Sequence, residues 1–374
     1  MKLLERCLCC GEAMPDPFLD LGAQPLANNY HDGMHPLPTY PLAVAQCNSC
    51  RHRQLTVAVE PAEMFDTYLY VSGTSRTLHN YFRDFVTRIV AEAGANIHVL
   101  DIGCNDGSLL QAFAPYVTAV CGVDPAQNLT ELARASGIDV ITGYWSETMA
   151  RSWTKRFEVI VAMNVVAHVA DPLGFLTACK HVLAPGCRIY VQTSQCNWLE
   201  NGEFDCVYHE HLSYFTEESF CEISKRAGLH LAKVEKVPIH GESWLFTLTD
   251  PLGRFAAEVE AVRDWMRART ERARTDGYAV VGYGAAAKGN TVLNYAGIAL
   301  DYIVDDNPLK WGLLTPGTNI PIVGSDRLCE EDRPVALFLL AWNFEKEIVE
   351  QVRRMRTGKY TRFVRYFPTR EEFE

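Results

Sequence analysis

Four consecutive side chains, Tyr208, His209, Glu210 and His211 in the stretch EFDCVYHEHLSYF, place a phenol, two imidazoles and a carboxyl side by side in an apolar and aromatic setting. An imidazole titrates near neutral pH, so this set is suited to moving a proton. The same residue types also occur as hydrogen-bonded interior groups, and spacing alone leaves both readings open. On a strand, Tyr208 and Glu210 would share one face and His209 and His211 the other, whereas a turn would let more of them converge. A second constellation is Cys7-x-x-Cys10 followed, after 36 intervening residues, by Cys47-x-x-Cys50. Two knuckles of this kind suit one tetrahedral zinc, and four thiolates leave no open coordination position, so the metal is read as structural. Cys9 competes with Cys10 for the first knuckle, and His52 is expected at the surface.

The elements that must hold these groups follow from the pattern. Leu78, Tyr81, Phe82, Phe85, Ile89 and Val90 recur with helical period, which predicts a helix over 77–93 joining the cysteine module to the next segment. HVLDIGCNDGSLLQAF then reads as a buried strand, a glycine turn and a helix, and AVCGVDP as a second strand ending in Asp124. Backbone amides at such a turn approach a ligand closely, and an acid at the next strand tip suits ribose hydroxyls. Asn105 stands where a dinucleotide fingerprint has its second glycine. The turn instead matches the Asp101-x-Gly103-x-x-x-Gly107 opening of an S-adenosylmethionine methyltransferase. Further strands and helices, with Asn164 and His168 at a strand end, continue the order of a doubly wound sheet. Beyond a charged amphipathic helix, YAVVGYGAAAKGNTVLNYAGI carries Gly282-x-Gly284-x-x-Ala287, with Asp305 and Asp306 after the following strand. That turn fits either a nicotinamide dinucleotide or the diphosphate of a nucleotide sugar, with Lys288 as a point charge.

Bulk composition bounds the partners. The 374 residues call for two or three domains, and a formal net charge of -11 opposes broad binding to nucleic acid or an anionic membrane. The longest apolar run, VALFLLAW at 335–342, is far short of a membrane helix, and the chain start lacks a signal peptide's apolar core. A cytoplasmic protein with reduced thiols is expected.

Taken together and in this order, the four cysteines, DIGCNDGSLL, NVVAHVADP, YHEHLSYF, VPIHGES, GYGAAAKGNTVLNYAGI and DDNPLKWGLLTPGTNIPIV resemble the sugar C-methyltransferases that act on nucleotide-linked 4-ketosugars. The resemblance spans nearly the whole chain. It implies an α/β protein: a Rossmann-like S-adenosylmethionine methyltransferase domain (76–250), a small N-terminal zinc module acting as substrate lid (1–75), and a second, C-terminal Rossmann-like domain for the nucleotide diphosphate (251–374). It further implies S-adenosylmethionine and structural zinc as cofactors, a nucleotide-diphosphate sugar as the partner, no nucleic acid or membrane, and a monomer or dimer. By the same resemblance His211 is the base that removes a proton beside the ketone, Tyr208 donates to the enolate oxygen, and Glu210 orients the base or the sugar. Asp101, Gly103, Asn105, Gly107, Asp124 and Asn164 are expected at the cofactor. Tyr68, Tyr70, His168, His240, Gly284, Lys288 and Asp305 are expected at the substrate, and Cys7, Cys10, Cys47 and Cys50 on the metal.

The chain departs from the family pattern at His209 and Glu242, and in SWLF and VQTSQCN, positions expected to line the sugar pocket. O- or N-methylation, a nicotinamide-dependent oxidoreductase and a non-enzymatic zinc scaffold remain the alternatives at this point.

Overall fold

The structure is a computed structural model that describes residues 1–30, 33, 37–66, 68–194 and 196–374. Two compact units, Met1–Arg254 and Phe255–Glu374, divide the chain.

The first unit holds two larger sheets, beside a two-stranded pairing of Lys2–Leu3 with Val57–Ala58. Near its start each cysteine knuckle is a tight turn: the Gly11 amide donates to the Cys7 carbonyl (2.9 Å) and the Arg51 amide to that of Cys47 (3.1 Å). Both turns end in a left-handed residue, Gly11 at φ 82° and Arg51 at φ 63°, the conformation that a glycine supplies without strain. A four-stranded antiparallel sheet follows, in the order Ser213–Tyr214, Arg53–Leu55, Thr39–Gln46, Leu19–Pro25. Its edge strand thus comes from the segment directly after the histidine cluster, with Ser213 opposite Gln54 and Tyr214 opposite Arg53. His52 is fully buried rather than at the surface. Its ring packs on Phe215 at 4.9 Å, so that strand crossing covers it.

The second sheet has seven strands: β1 (His98–Ile102), β2 (Ala119–Asp124), β3 (Val140–Thr142), β4 (Phe157–Met163), β5 (Leu183–Thr193), β6 (His230–Val237) and β7 (Ser243–Thr249). They lie in the order β6-β7-β5-β4-β1-β2-β3, parallel except for β7 between β5 and β6. Val99, Leu100 and Ile102 of β1 are buried on both faces, as a strand covered by helices on each side must be. The chain order reverses where β1 passes to β4, and in such sheets the crevice beyond the strand ends at that point takes the ligand. Helix α1 (Arg76–Ala93) covers one face with Leu78, Phe82, Phe85, Val86 and Ile89; Ser75 caps it by accepting from the Leu78 amide at 3.3 Å. Burying each of the larger apolar side chains stabilises the fold by roughly 1.5–3 kcal/mol. The segment 216–250 forms helix α2 (Glu217–Arg226) followed by the antiparallel hairpin of β6 and β7.

The second unit takes in most of the long helix α3 (Pro251–Thr275) and a six-stranded sheet. Its strands β8 (Ala279–Tyr283), β9 (Tyr302–Val304), β10 (Ile322–Val323), β11 (Val335–Leu339), β12 (Thr361–Arg365) and β13 (Glu371–Phe373) run β10-β9-β8-β11-β12-β13, with only β13 antiparallel. Helix α4 (Ala287–Ala296) follows the second glycine turn. No helix among the described residues is long and apolar enough to cross a membrane.

Candidate active site

At the tip of β1 the chain turns through Gly103 (φ 74°), Asn105 (φ 53°) and Gly107 (φ 77°). A Cβ on Gly103 would lie 2.1 Å from Val165 Cγ2, so only glycine lets this turn pass so close to the β4 tip. Asp124 braces the turn: one carboxylate oxygen accepts from the Asn105 amide and the other from the Ala126 amide, each at 2.9 Å. Asp101 is buried beneath the turn, its carboxyl pushed up to about 8 by burial and by the neighbouring Asp124. The Asn105 side chain accepts from the Ser72 amide and donates to the Tyr70 carbonyl, both at 2.9 Å, which ties the tyrosine segment at 68–75 onto the glycine turn. Asp124→Ala removes two turn bonds together with the acid facing the cleft. It is expected to weaken S-adenosylmethionine binding by roughly 10- to 100-fold in calorimetric titration, with zinc content unchanged.

The histidine cluster is a turn, closed by the His211 amide donating to the Tyr208 carbonyl at 3.0 Å. His211 Nδ1 is 2.9 Å from the Cys206 carbonyl and Nε2 is 2.9 Å from Tyr208 Oη. A carbonyl only accepts, so Nδ1 carries the proton and the Nε2 lone pair receives the Tyr208 hydroxyl. The His168 and His211 ring centroids are 5.0 Å apart, and Phe65 packs edge-on to His168 at 5.6 Å. Burial, reinforced by the facing His168, holds His211 down to about 3, and burial holds His168 down to about 4. An unfolded histidine titrates near about 6.5. Between that pH and about 4 the unfolded chain therefore binds more protons than the folded one, and stability falls as pH falls through the window. Asp101, held up at about 8, acts in the opposite direction, so the comparison between proteins carries the test: the melting temperature of His168→Asn should fall less than that of the wild type from about pH 6.5 to pH 4. Identical profiles in the two proteins would refute the buried neutral ring of His168.

These two regions face one cavity of about 850 Å³ within the first unit. That is at the upper end of small-molecule sites. Of the expected residues, Gly103, Asn105, Asp124 and Asn164 line it from the strand tips, while Tyr68, Tyr70, His168, Tyr208, His211 and His240 line it from the other side. Asn164 Oδ1, His168 Nδ1 and Gln192 Nε2 are buried there without a hydrogen-bond partner among the described residues. Each such group costs about 1–3 kcal/mol unless a ligand or water satisfies it, so the walls suit polar ligands. Among the described lining residues there is no lysine or arginine.

Other expected residues sit elsewhere. Asp101, Gly107 and Glu210 do not line the cavity; Glu210 is buried behind it, with Asn28 Nδ2 donating to one oxygen at 2.7 Å and Tyr68 Oη to the other at 3.0 Å. His209 and Glu242, expected in the pocket wall, are outside it. The His209 ring turns to Tyr40, with Nε2 3.3 Å from that residue's carbonyl, and Glu242 is exposed and accepts from Asn197. Gln192 and Ser194 of VQTSQCN do face the cavity.

In the second unit Gly284 (φ 87°) forms the turn after β8. The carboxylate of Asp305 is already engaged by the Ala285 amide (2.7 Å), the Asn307 amide (2.9 Å) and Lys310 Nζ (2.8 Å). Asp305 thus braces its turn as Asp124 does, and a ribose contact would have to share it with Lys310. The Lys288 ammonium lies over the Trp342 ring at 4.8 Å.

The sulfur atoms of Cys7, Cys10, Cys47 and Cys50 lie within 4.8 Å of one another, with Cys7–Cys50 and Cys10–Cys47 each at 3.5 Å. Tetrahedral zinc with sulfur at about 2.3 Å requires sulfur separations of about 3.8 Å, so four thiolates at these positions fit the ion with a small expansion. Cys9 is packed into the core and is not part of the set.

Phe65, Tyr144 and Trp145 also line the cavity and were not anticipated. Tyr144 and Trp145 follow β3, and the rule that ligands bind beyond parallel strand tips would have found them. No sequence signal joins Asn28 to Glu210.

Comparison with known proteins gives three consecutive family matches: "Putative zinc binding domain" over 7–65, "Methyltransferase domain" over 75–234 and "C-methyltransferase C-terminal domain" over 222–368. The C-methyltransferase NovU of Streptomyces niveus is 28% identical, covering 94% of this chain and 92% of its own. A ubiquinone biosynthesis O-methyltransferase of Dinoroseobacter shibae is also 28% identical, over 48% of this chain and 83% of its own. Among solved structures, S-adenosylmethionine-bound CalS10 of Micromonospora echinaspora, an amino pentose methyltransferase, is 18% identical with a TM-score of 0.37, covering 47% of this chain and 93% of that one.

Proposed function

From the premise that this chain is an S-adenosylmethionine-dependent C-methyltransferase with a structural zinc, we propose that it methylates C3 of a nucleotide-diphosphate 4-ketosugar. The observation that carries the reading is the shared cavity, in which a lone-pair nitrogen of His211, already hydrogen-bonded to Tyr208, faces the same space as the Gly103 turn. Carbon beside a ketone becomes nucleophilic only when a proton leaves, and that step needs a base near the carbon and a donor near the oxygen.

His211 serves as the base through Nε2, with the Cys206 carbonyl fixing its tautomer from behind. Once Nε2 takes the proton it is a donor and no longer accepts from Tyr208. The Tyr208 hydroxyl is thereby released to donate to the enolate oxygen at C4, so one proton transfer supplies both requirements. Burial keeps His211 neutral, and hence competent to accept, throughout the physiological range. When bound, S-adenosylmethionine supplies a methyl group already activated by its positive sulfur. His168 and His240, with Tyr68 and Tyr70, enclose the sugar ring and exclude water.

We assign nucleotide-diphosphate binding to the second unit taken by itself, where the Gly284 turn supplies amides, Lys288 a charge and Asp305 holds the turn. In this reading 1–75 is the lid module, 76–250 the methyltransferase domain and 251–374 the nucleotide domain. Incubation with a thymidine-diphosphate 4-keto-6-deoxysugar and carbon-13 methyl donor should give a product whose methyl is attached to a quaternary or tertiary ring carbon by NMR. A methyl on oxygen or nitrogen would overturn the assignment.

A further inference from the structure

The Glu210 carboxylate is only 3% exposed as a residue, yet among the described residues no lysine or arginine reaches it within ion-pair distance. It is held by two neutral donors instead, one on each oxygen. Asn28 lies 182 residues away in sequence and Tyr68 lies 142 away. The Asn28 segment is itself anchored, because Leu26 is buried with Val59 and Met64, and Phe65 packs on that cluster. Phe65 and Tyr68 line the cavity, and Phe65 packs edge-on to His168.

We propose that Asn28 is a positioning residue for methyl transfer: with Tyr68 it clamps Glu210, and so holds the Tyr208–His211 turn against the aromatic wall of the cavity. Burial raises the Glu210 carboxyl, and the two donors act against that by holding its charged form without a cation. It accepts hydrogen bonds strongly at both ends and links three chain segments through one group. Tyr68 is thereby held by its hydroxyl as well as by its ring. Neither Asn28 nor Glu210 borders the cavity, and of the three clamp residues only Tyr68 does.

This inference rests on His211 acting as the base, and its test separates the two ideas. In full-chain, zinc-loaded enzyme, Asn28→Ala should lower kcat by about tenfold through loss of one hydrogen bond to a charged group, leaving S-adenosylmethionine affinity within twofold. Asn28→Asp sets a second carboxylate against Glu210; its kcat relative to wild type should be down about 100-fold at pH 8 and recover as pH is lowered towards about 6, where the pair shares a proton. A purely structural role would instead give a loss independent of pH. A thermal double-mutant cycle of Asn28→Ala with Glu210→Gln needs no substrate and should show non-additivity of about 2 °C or more in melting temperature. Additive effects, or Asn28 variants with wild-type kcat at every pH, would overturn the clamp. If the cycle shows coupling but wild-type enzyme makes no carbon-methylated sugar, the clamp stands as a bond and its part in catalysis falls with the base assignment.

Discussion

His211→Gln is expected to lose about 10²- to 10⁴-fold in kcat, the usual range for removing a general base. The more direct signal is exchange of the proton beside the ketone in deuterated water, which should fall in parallel. Glutamine keeps a polar side chain of comparable length, so the wall of the cavity is little disturbed. The glycine turn and Asp124, proposed to hold S-adenosylmethionine, are untouched, and affinity for it should stay within about twofold. A Tyr208→Phe companion sharpens the comparison. It leaves Nε2 in place but removes the donor, so it should slow methyl transfer more than it slows exchange of a proton that His211 can still take. Retention of wild-type exchange by His211→Gln would end the case for this imidazole as the base, whose ring is oriented by the Cys206 carbonyl and paired with the Tyr208 hydroxyl.

Removal of the metal should have an equally large effect by another route. Zinc bound by four thiolates contributes about 10–16 kcal/mol of apparent binding free energy, and in small modules that free energy is folding free energy. Cys47→Ser, or prolonged chelation, should therefore melt the knuckles. Ser213–Tyr214 pairs with Arg53–Leu55 in the sheet beside them, so the histidine turn should lose its support at the same time. Methyl transfer should become undetectable although the metal touches no reactant. Plasma emission should find one zinc per chain in the wild type and less than about a tenth of that in Cys47→Ser. Readdition of zinc should restore the chelated wild type but not the variant. A metal-free protein with full activity would show that the module folds on its own.

Much of the architecture could be read before the structure, because it rests on local chemistry. Cysteine spacing, glycine turns after apolar strands, and the period of Leu78, Phe82, Phe85 and Ile89 each express a constraint within a few residues. The core of the cavity was legible for the same reason: Gly103, Asn105, Asp124 and Asn164 all sit at strand ends, where the doubly wound order puts ligands. What could not be read depended on distant segments. His52 looks like a surface residue from its neighbours, yet Phe215 covers it, 163 positions later in the numbering of the chain. His209 and Glu242 looked like pocket residues because their neighbours are, but a one-residue step around the turn sends His209 towards Tyr40. Asp305 fits the pattern of a ribose acid, and that pattern cannot show that Lys310 already pairs with it.

The strand Ser213–Tyr214 also bears on how this enzyme can be cut or recombined. A fragment beginning at residue 76 would retain all seven strands of the parallel-rich sheet but leave this short strand with no hydrogen-bonding neighbour. Its bare amides and carbonyls would sit beside freshly uncovered Trp198, Leu212 and Tyr214, a sticky edge prone to self-association. Swapping the amino-terminal module between relatives would need the 208–215 segment to travel with it, because the two form one folding piece although 132 residues of chain separate them.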